Sequence, residues 1–519
     1  MKLGTVAALA ALGMLGTGAS TYLATPPGGL GSANSSAGNA APQTAEAPTS
    51  GAPGDTAPKA NVASSSSSSA GSATSLAELT TGSTVLLDAR LAHASLLRGS
   101  TQDSYVMLDL STGASATQVK APRVSLALVI DKSGSMRGSR FENALAAAVS
   151  AVDRLRDGDS VSVIAFDTKP ETVVAPVVLT SSTRASAVEA IKKIRLGGDT
   201  CISCGLDQAL AELASARGAA QPDVQRVLLL SDGEPTAGVR DPAGFATITR
   251  HAVDVGATIS TIGVDVDFNE RVMSAIALGG NGHHYFVERE ADLARVFEAE
   301  AETISATVAS DASAEIELAP GVEVLEVFDR SFDRSGSRIT VPLGSFSVGA
   351  RKTVLVKVRV PVSSNDAPME LASVRLRYRD VARGEAVNES GSLSVRPVAD
   401  ASQVAPMDGV VLDRVQRSET AAALEDANSL FRAGKTDAAQ KRIDDARNQL
   451  QSRHGEAAKN APAKKTRDID TSFDGQAADL DKAQTRFKPA PTTTPKPDVE
   501  RKKKAAVREN EAMANPYRE

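Results

Sequence analysis

The stretch VSLALVIDKSGSM, residues 124–136, decides the fold. Its first half, residues 124–130, is a continuous apolar run, and a polar turn with one carboxylate and two hydroxyls follows it directly. Continuous apolar runs of this length are typical of strands that are buried on both faces of a parallel sheet. Because sites in such sheets form at the carboxyl ends of the strands, Asp131, Ser133 and Ser135 are candidate functional residues.

The sequence that follows alternates between strand and helix patterns. Strands are predicted at residues 161–166, 227–230, 258–264 and 285–287, and helices at residues 144–155, 184–194, 205–216, 245–253, 270–278 and 293–304. Helices that separate continuous apolar strands cover both faces of the sheet. We therefore expect residues 123–304 to form an α/β domain with a doubly wound, mostly parallel, Rossmann-like sheet.

Both flanks of this α/β domain show the period-two alternation of antiparallel strands. Residues 305–398 carry several such runs, with turn signals such as Pro320-Gly321 between them. Residues 76–122 hold too few strands for a stable unit of their own. We expect the two groups of strands to pair, so that the α/β domain is inserted in a discontinuous antiparallel β-sandwich.

The C-terminal part of the chain is predicted to be helical and then disordered. Residues 410–454 place apolar side chains on two helical faces separated by Gly434, which predicts a helical hairpin. The polar, proline-containing residues 455–519 predict a disordered charged tail. The basic run at residues 501–504 has two interpretations, a contact for an acidic partner or cell-wall polymer and a solvated charge run.

The N-terminus predicts export. Lys2, an apolar stretch and then the small residues up to Ser20 follow the order of a secretory signal peptide, with cleavage after Ala19. The apolar character resumes weakly up to residue 24, so an uncleaved membrane anchor is the alternative for residues 1–24. Residues 25–75, rich in Ala, Ser, Pro and Gly, predict a disordered linker. Both alternatives place the rest of the chain in the periplasm, the cell envelope or the extracellular space.

The composition excludes several classes of function. The 519 residues include 57 basic and 63 acidic side chains, a net charge of −6, which gives no overall field for nucleic acid. Aromatic residues make up 3% and Trp is absent, so base-stacking platforms are not expected. The sequence shows neither a nucleophile elbow nor a phosphate-binding glycine loop with Lys. We therefore expect a protein that is not an enzyme, has no catalytic residues and does not bind nucleic acid.

Two further loops place oxygen ligands near the turn at Asp131. Thr200 precedes a predicted helix in a loop with two glycines, and Asp232 follows the strand at residues 227–230. If the three loops converge, they supply two carboxylates and three hydroxyls, a set that suits a hard cation. The alternative interpretation is that the serines and Asp131 only cap the helix that begins near Met136.

The same segments together resemble a known family. DKSGSM at residues 131–136, GGDTCISCGL at 197–206 and SDG at 231–233 resemble the von Willebrand factor A (VWA) domain and its metal-ion-dependent adhesion site. IGVDVDFNERVMSAIALGGNGHHYF at 262–286 is similar to the closing part of bacterial members. The resemblance covers residues 123–304. The flanking strands and helices are similar to the subgroup of inter-alpha-trypsin inhibitor heavy chains and its bacterial relatives, some of which resemble magnesium-chelatase subunits.

The resemblance implies a metal centre and a function. Ser133 and Ser135 would bind a divalent cation directly, Thr200 directly or through a water, and Asp131 and Asp232 would hold metal-bound waters or ligand hydroxyls. The expected cation is Mg²⁺, with Mn²⁺ or Ca²⁺ as alternatives, and three neutral hydroxyls would leave it electrophilic. The protein would then be an exported cell-envelope protein that binds an acidic side chain of a protein partner.

Two other functions stay open at this point. One is a scaffold or regulatory partner of an envelope complex or ATPase. The other is a thiol-disulfide redox protein that uses Cys201 and Cys204, which lie three residues apart at the start of a predicted helix and so share one face. For this pair we consider a disulfide that stiffens the Thr200 loop, a redox-tuned site and two free thiols.

Other polar residues of the domain are predicted to be structural. Asp265, Asp267 and Asn269 imitate the start of a calcium loop, but Glu270 stands where that loop needs glycine. Asn269 is predicted to be a helix N-cap instead. His283 and His284, at the entry to a predicted strand, are also interpreted as structural.

Overall fold

The computed structural model describes residues 76–113, 121–220, 222–232, 234–264, 269–287, 292–488 and 496–518. The predicted signal peptide or anchor and the predicted linker at residues 25–75 lie outside these residues. Along the part of the chain that the structure describes, no helix is both long enough and apolar enough to cross a bilayer.

The chain begins with strands of a β-sandwich. They are β1 (Glu78–Gly82), β2 (Val85–Leu91), β3 (Ser95–Leu97) and β4 (Thr101–Thr112). The rest of the sandwich follows the α/β domain, as β11 (Thr307–Leu318), β12 (Glu323–Phe328), β13 (Asp333–Ser335), β14 (Arg338–Ser347), β15 (Arg351–Pro361), β16 (Met369–Asp380) and β17 (Glu385–Val398). The two sheets have the orders β1-β2-β4-β15-β12 and β13-β14-β11-β16-β17-β3.

The pairing of β4 with β15 confirms the discontinuous sandwich. These two antiparallel strands stay in register from the pair Arg351 and Ser111 to the pair Pro361 and Thr101. One buried apolar cluster contains side chains from both groups of strands, for example Leu108 and Val356. Each group therefore completes the core of the other, which is why β4 of the short N-terminal group pairs with a strand that lies 240 to 260 residues away.

The inserted α/β domain has a six-stranded sheet in the order β10-β9-β8-β5-β6-β7. Its strands are β5 (Val124–Asp131), β6 (Ser160–Phe166), β7 (Pro170–Val178), β8 (Val224–Ser231), β9 (Ala257–Val264) and β10 (Asn281–Val287). Its helices are α1 (Ser139–Arg154), α2 (Ser181–Lys192), α3 (Ile202–Ala220), α4 (Ala246–Asp254), α5 (Glu270–Gly279) and α6 (Leu293–Ser305).

The predicted doubly wound, mostly parallel sheet is confirmed. Leu128 and Ile130 of β5 pack in one core with α1 and α6, while Ala127 and Val129 pack in the other core with α3 and α4. Both sets of alternate side chains are buried, which explains the continuous apolar run of this strand. The antiparallel edge strand β7 was not predicted, because its half-exposed side chains and its prolines give no clear strand pattern.

The C-terminal region is a layer of four described helices, and the prediction of a disordered tail was wrong. The helices are α7 (Gly409–Arg432), α8 (Thr436–Lys459), α9 (Thr466–Arg486) and α10 (Lys496–Arg518). The predicted hairpin is present as α7 and α8, separated by Gly434 with a φ of 75°. The prediction failed because α9 is polar on average and has only a sparse apolar stripe. Ile469, Phe473 and Leu480 of this stripe are buried.

A buried arginine fixes this helical layer to the sandwich. Nε of Arg414 donates to Oγ1 of Thr353 at 2.6 Å, and its Nη2 donates to Oδ2 of Asp329 at 3.1 Å. The same guanidinium donates to the backbone carbonyls of Tyr517 at 3.1 Å and Arg518 at 3.0 Å. These contacts satisfy a buried charge and hold the last turn of α10 in place.

Candidate metal centre

The sheet order brings the two predicted carboxylates to one edge. Strands β5 and β8 are parallel neighbours, with Ile130 paired to Leu230, and so they end side by side. Asp131 is the last residue of β5, and Asp232 follows the last residue of β8. The turn after β5 forms a short 3₁₀ helix at Gly134–Met136, which places both predicted serines above the sheet edge.

Hydrogen bonds connect four of the five predicted ligands in one chain. The backbone N–H of Ser133 donates to Oδ1 of Asp131 at 2.8 Å, and the hydroxyls of Ser133 and Ser135 are 2.9 Å apart. The Ser135 hydroxyl donates to Oδ1 of Asp232 at 2.8 Å. Asp131, Ser133, Ser135 and Asp232 thus form one site, although about 100 residues separate its two halves.

Both carboxylates are buried. Asp131 has no exposed surface, and burial raises its pKa to about 6, although hydrogen bonds from Ser231 and Ser133 oppose the shift. The Ser231 hydroxyl donates to Oδ2 of Asp131 at 2.6 Å. Burial also raises the pKa of Asp232, against hydrogen bonds from Ser135 and Arg140. The site therefore concentrates negative charge in a poorly solvated position, where a cation is favourable.

The Thr200 loop packs against the serine turn through its backbone. Gly197 N–H donates to the carbonyl of Lys132 at 2.7 Å, and Gly134 N–H donates to the carbonyl of Gly198 at 3.1 Å. Thr200 is buried, and its N–H donates to Oγ1 of Thr236 at 2.8 Å. Within the described residues, the Thr200 hydroxyl takes no part in the hydrogen bonds that connect Asp131 with Asp232. The loop is adjacent to the site, and direct ligation by Thr200 stays a prediction.

A disulfide joins Cys201 and Cys204, directly after Thr200. The two Cα atoms are 5.3 Å apart, and Cys201 is buried, with its N–H donating to the carbonyl of Asp167 at 2.8 Å. Asp167 in turn accepts from the N–H of Gly198 at 3.1 Å through Oδ2. The loop is thereby restrained on both sides of Thr200, as expected of a disulfide that stiffens it.

Sequence reasoning missed three residues of this edge. Arg140 in α1 lies 3.1 Å from Oδ2 of Asp232 and partly balances that carboxylate. Ser231 positions Asp131, and Asp167 positions the Thr200 loop, through the contacts described above. Ser231 stands inside the SDG motif and Arg140 lies in the first turn of the helix after the DKSGSM motif, so position relative to the motifs was the available signal.

The donor set fits a hard divalent cation. Mg²⁺ binds oxygen ligands at about 2.0–2.1 Å in an octahedron, so neighbouring ligand oxygens lie about 2.9 Å apart. The hydroxyls of Ser133 and Ser135 have this separation. Across the described part of the chain, no group of three or more His, Cys, Asp or Glu side chains could hold a metal ion, so a zinc-type cluster is not found there.

The other polar residues behave as structural groups. Asn269 is the N-cap of α5, as predicted, and its side chain accepts from Val272 N–H at 3.3 Å. Asp265 and Asp267 lie outside the described residues. The His284 side chain is 7% exposed, its ring lies 2.8 Å from Oγ1 of Thr261, and burial lowers its pKa to about 4. His283 lies 3.7 Å from Oε2 of the buried Glu300.

Comparisons with known proteins point to one domain family. Residues 125–299 match the family described as von Willebrand factor type A domain. The chain is 27% identical over 272 residues to an uncharacterized protein of Synechocystis sp., sll0103, a match that covers 50% of this chain and 63% of that protein. It is 26% identical over 282 residues to the uncharacterized protein YfbK of Escherichia coli, covering 50% of this chain and 48% of that protein. The chain thus spans less than two thirds of these relatives.

The chain is also similar to part of a mammalian protein. It is 31% identical over 151 residues to inter-alpha-trypsin inhibitor heavy chain H2 of Mus musculus, which covers 28% of this chain and 16% of that protein. Among solved structures, von Willebrand factor type A from Catenulispora acidiphila aligns with a TM-score of 0.63 at 18% identity, covering 84% of this chain and 98% of that chain. The ArnB paralog VWA2 from Sulfolobus acidocaldarius aligns with a TM-score of 0.53 at 17% identity, covering 83% and 98%. These two likenesses concern the fold.

Proposed function

We propose that this chain, whose residues 125–299 match the von Willebrand factor type A domain family, is an exported protein that binds an acidic side chain of a protein partner through a divalent cation. Domains of this family mediate protein–protein interactions and often bind a divalent metal. The cation would be held by Ser133, Ser135 and Thr200, with Asp131 and Asp232 behind them. The protein acts by binding and carries out no reaction.

The observation that carries the proposal is the hydrogen-bonded chain from Asp131 to Asp232. In this arrangement the Ser135 side chain is exposed, whereas Ser133 and both carboxylates are buried. A cation bound by neutral hydroxyls retains most of its positive charge. A carboxylate from a partner is then a favourable ligand at the open side, whereas Asp131 and Asp232 hold the hydroxyls and waters in position.

Export is part of the same proposal, although the N-terminal segment lies outside the described residues. The order of Lys2, apolar stretch and small residues supports it. The Cys201–Cys204 disulfide is a second support, because disulfides persist in oxidising compartments. A reporter that is active only after secretion, fused at residue 75, should be active. An inactive reporter with a stable fusion would contradict export and favour a cytosolic scaffold.

The metal site is tested by titrating MgCl₂ into the purified protein and into Ser135→Ala. Removal of this hydroxyl should weaken Mg²⁺ binding by about tenfold or more, because the variant loses a predicted ligand and a contact to Asp232. The matched control is Ser186→Ala, which removes an exposed hydroxyl from α2 of the same domain. Equal Mg²⁺ affinity in Ser135→Ala, Ser186→Ala and the unaltered protein would refute the site.

A further inference from the structure

A cleft lies next to the metal centre, between the α/β domain and the helical layer. It has a volume of about 700 Å³, within the range of about 300–1,000 Å³ that is usual for ligand sites. One wall comes from the loop after β8 and from the first turn of α5, and the other comes from the end of α7 and from α10. This cleft exists because α10 is folded and docked.

The cleft is joined to the metal centre in two ways. Glu234 lines it and is two residues from Asp232, so their Cα atoms are at most about 7 Å apart. Thr236 accepts from the N–H of Thr200 at 2.8 Å, and its carbonyl accepts from the guanidinium of Arg240, which also lines the cleft. A ligand chain that reaches the metal at one end can therefore continue into the cleft.

The lining of the cleft has a net positive charge. Among the described side chains it includes six basic residues: Arg240, Arg271, Arg432, Lys503, Lys504 and Arg508. Four acidic residues line it, and one of these, Glu511, forms an ion pair with Arg432. Such a surface attracts anionic groups.

Glu270, another of the four acidic lining residues, does not reduce the net positive charge of the cleft at neutral pH. Glu270 is 6% exposed, and neither of its carboxylate oxygens has a hydrogen-bond partner within the described structure. Burial raises its pKa to about 8, and Glu511 adds to the shift while Arg508 and Arg432 oppose it. A protonated carboxyl carries no charge and can donate a hydrogen bond to an anionic ligand.

The wall of the cleft that is formed by α7 and α10 is held in position by buried polar contacts. Nδ2 of Asn428 in α7 donates to the carbonyl of Val507 at 3.2 Å, and Nδ2 of Asn510 donates to Oδ1 of Asn428 at 3.1 Å. The Ser274 hydroxyl of α5 donates to Oδ1 of Asn515 at 3.0 Å. The cleft is thus preformed, which lowers the entropy cost of binding.

From these observations we propose that the cleft binds an acidic segment of a protein partner, whose leading carboxylate lies on the metal and whose further carboxylates contact the basic residues of α5 and α10. Only the placement of the leading carboxylate on the metal rests on the proposed function. Phe431, Val507 and Pro242 also line the cleft, and these apolar groups suit a peptide with apolar side chains better than a phosphate polymer.

The test uses the full exported chain and a fluorescein-labelled eight-residue peptide of alternating Asp and Leu, with fluorescence anisotropy as the readout. The cleft variant is Arg271→Glu with Lys504→Glu, two exposed lining residues on different helices. The matched control is Lys502→Glu, an exposed residue of α10 that does not line the cleft and lies about 200° around the helix from Lys504. Circular dichroism checks that all variants are folded.

The unaltered protein and Lys502→Glu should bind the peptide with the same affinity, whereas the cleft variant should bind it about tenfold more weakly or worse. Equal affinity of the cleft variant, or no binding to the unaltered protein, overturns the inference. Tighter competition by a glycerol phosphate polymer than by unlabelled peptide also overturns it, in favour of an envelope polymer. EDTA reports separately on the proposed function: if it leaves peptide affinity unchanged while the cleft variant is weakened, the cleft inference stands and the metal-bridged contact fails.

Discussion

The sheet edge at Asp131 and the helical layer at Arg414 are both held together by polar side chains that contact distant parts of the chain. At the sheet edge, Ser135 contacts Asp232, 97 positions away. In the helical layer, Arg414 contacts the carbonyl of Tyr517, 103 positions away. The separations are alike, but the causes differ. Adjacent parallel strands must end at the same edge, whereas no general rule places the last turn of α10 on α7.

This difference teaches where sequence patterns carry information about a site. A motif that follows a buried parallel strand has its location fixed by the sheet, so the candidate metal centre depends on a few local segments. The cleft depends on how separate helices dock, so it depends on contacts spread over the surface of α7, α5 and α10. Variants in the two regions should accordingly have different consequences.

The largest expected effect is loss of metal binding in Asp131→Ala. The change removes the carboxylate that accepts from Ser133 N–H and from the Ser231 hydroxyl, so the serine turn loses its anchor. Mg²⁺ affinity, measured by titration calorimetry, should fall by about 10- to 100-fold or disappear, while the circular dichroism spectrum is retained.

The control for this variant is Asp223→Ala. Asp223 lies just before β8, at the opposite end of the same sheet, where its carboxylate accepts from Arg123 N–H at 2.9 Å. Its removal should leave Mg²⁺ affinity unchanged. Loss of affinity in both variants would show that the effect is a general one on the domain rather than one on the site.

The second effect is a dependence of the free energy of unfolding on pH, and it comes from Glu270 in the cleft. Glu270 has a folded-state pKa of about 8, above the value of about 4.3 for an unfolded glutamate. Between these two values the folded state holds a proton that the unfolded state has lost. The free energy of unfolding should therefore fall as pH rises through this window, by up to about 1.4 kcal/mol per pH unit from this group.

Glu270→Gln should remove this contribution. Urea unfolding at several pH values between 5 and 8 should show a flatter profile for the variant, with the greatest relative gain in stability at pH 8. Glu302→Gln, an exposed position in α6, serves as the control and should follow the unaltered protein. The groups that face Glu270 are Glu511, Arg508, Arg432 and His284. Parallel profiles for Glu270→Gln and the unaltered protein would contradict the buried, protonated carboxyl.

The third effect is a loss of stability on removal of the disulfide. Cys201→Ser with Cys204→Ser should lower the free energy of unfolding by about 2 kcal/mol, since a disulfide that closes a loop of four residues restrains the unfolded chain only modestly. Mg²⁺ affinity should fall as well, because the Thr200 loop becomes less restrained. Reduction of the unaltered protein should reproduce both changes. Unchanged Mg²⁺ affinity under both treatments would separate the disulfide from the metal centre.

The smallest effect is expected for Asn269→Ala. Its side chain accepts from Val272 N–H at the start of α5, and loss of an N-cap costs about 1 kcal/mol. A lower midpoint of urea unfolding with unchanged Mg²⁺ affinity is the expected result. A change in metal affinity instead would show that the residue has a role beyond capping the helix.

Most of the inserted domain could be predicted from the sequence, for physical reasons. The buried strands are continuous apolar runs because both faces of the sheet are covered, as Leu128 and Val129 show by packing into opposite cores. The polar strand ends allowed the Asp131 and Asp232 loops to converge, and the family resemblance implied it; the neighbouring positions of β5 and β8 in the sheet bring the two loops to one edge. The discontinuous sandwich followed from the shortage of strands before the insertion.

The helices after residue 455 could not be predicted in the same way. Phe473 of α9 and Phe487 lie in one core with Phe431 of α7, but the sequence between them is strongly polar because one face of each helix is solvated. A single apolar stripe of this kind stabilises a helix only when a partner covers it, and the partner is set by tertiary packing. The cleft was therefore invisible in the sequence, although its basic residues at 503 and 504 were noticed.

The central claim is that the hydroxyls of Ser133 and Ser135 bind a divalent cation, and anomalous diffraction from crystals grown with MnCl₂ tests it most directly. We expect an anomalous peak within coordination distance of both hydroxyl oxygens, close to the buried carboxylates of Asp131 and Asp232. No peak at this position, with Mn²⁺ absent from the protein or bound elsewhere, would contradict it.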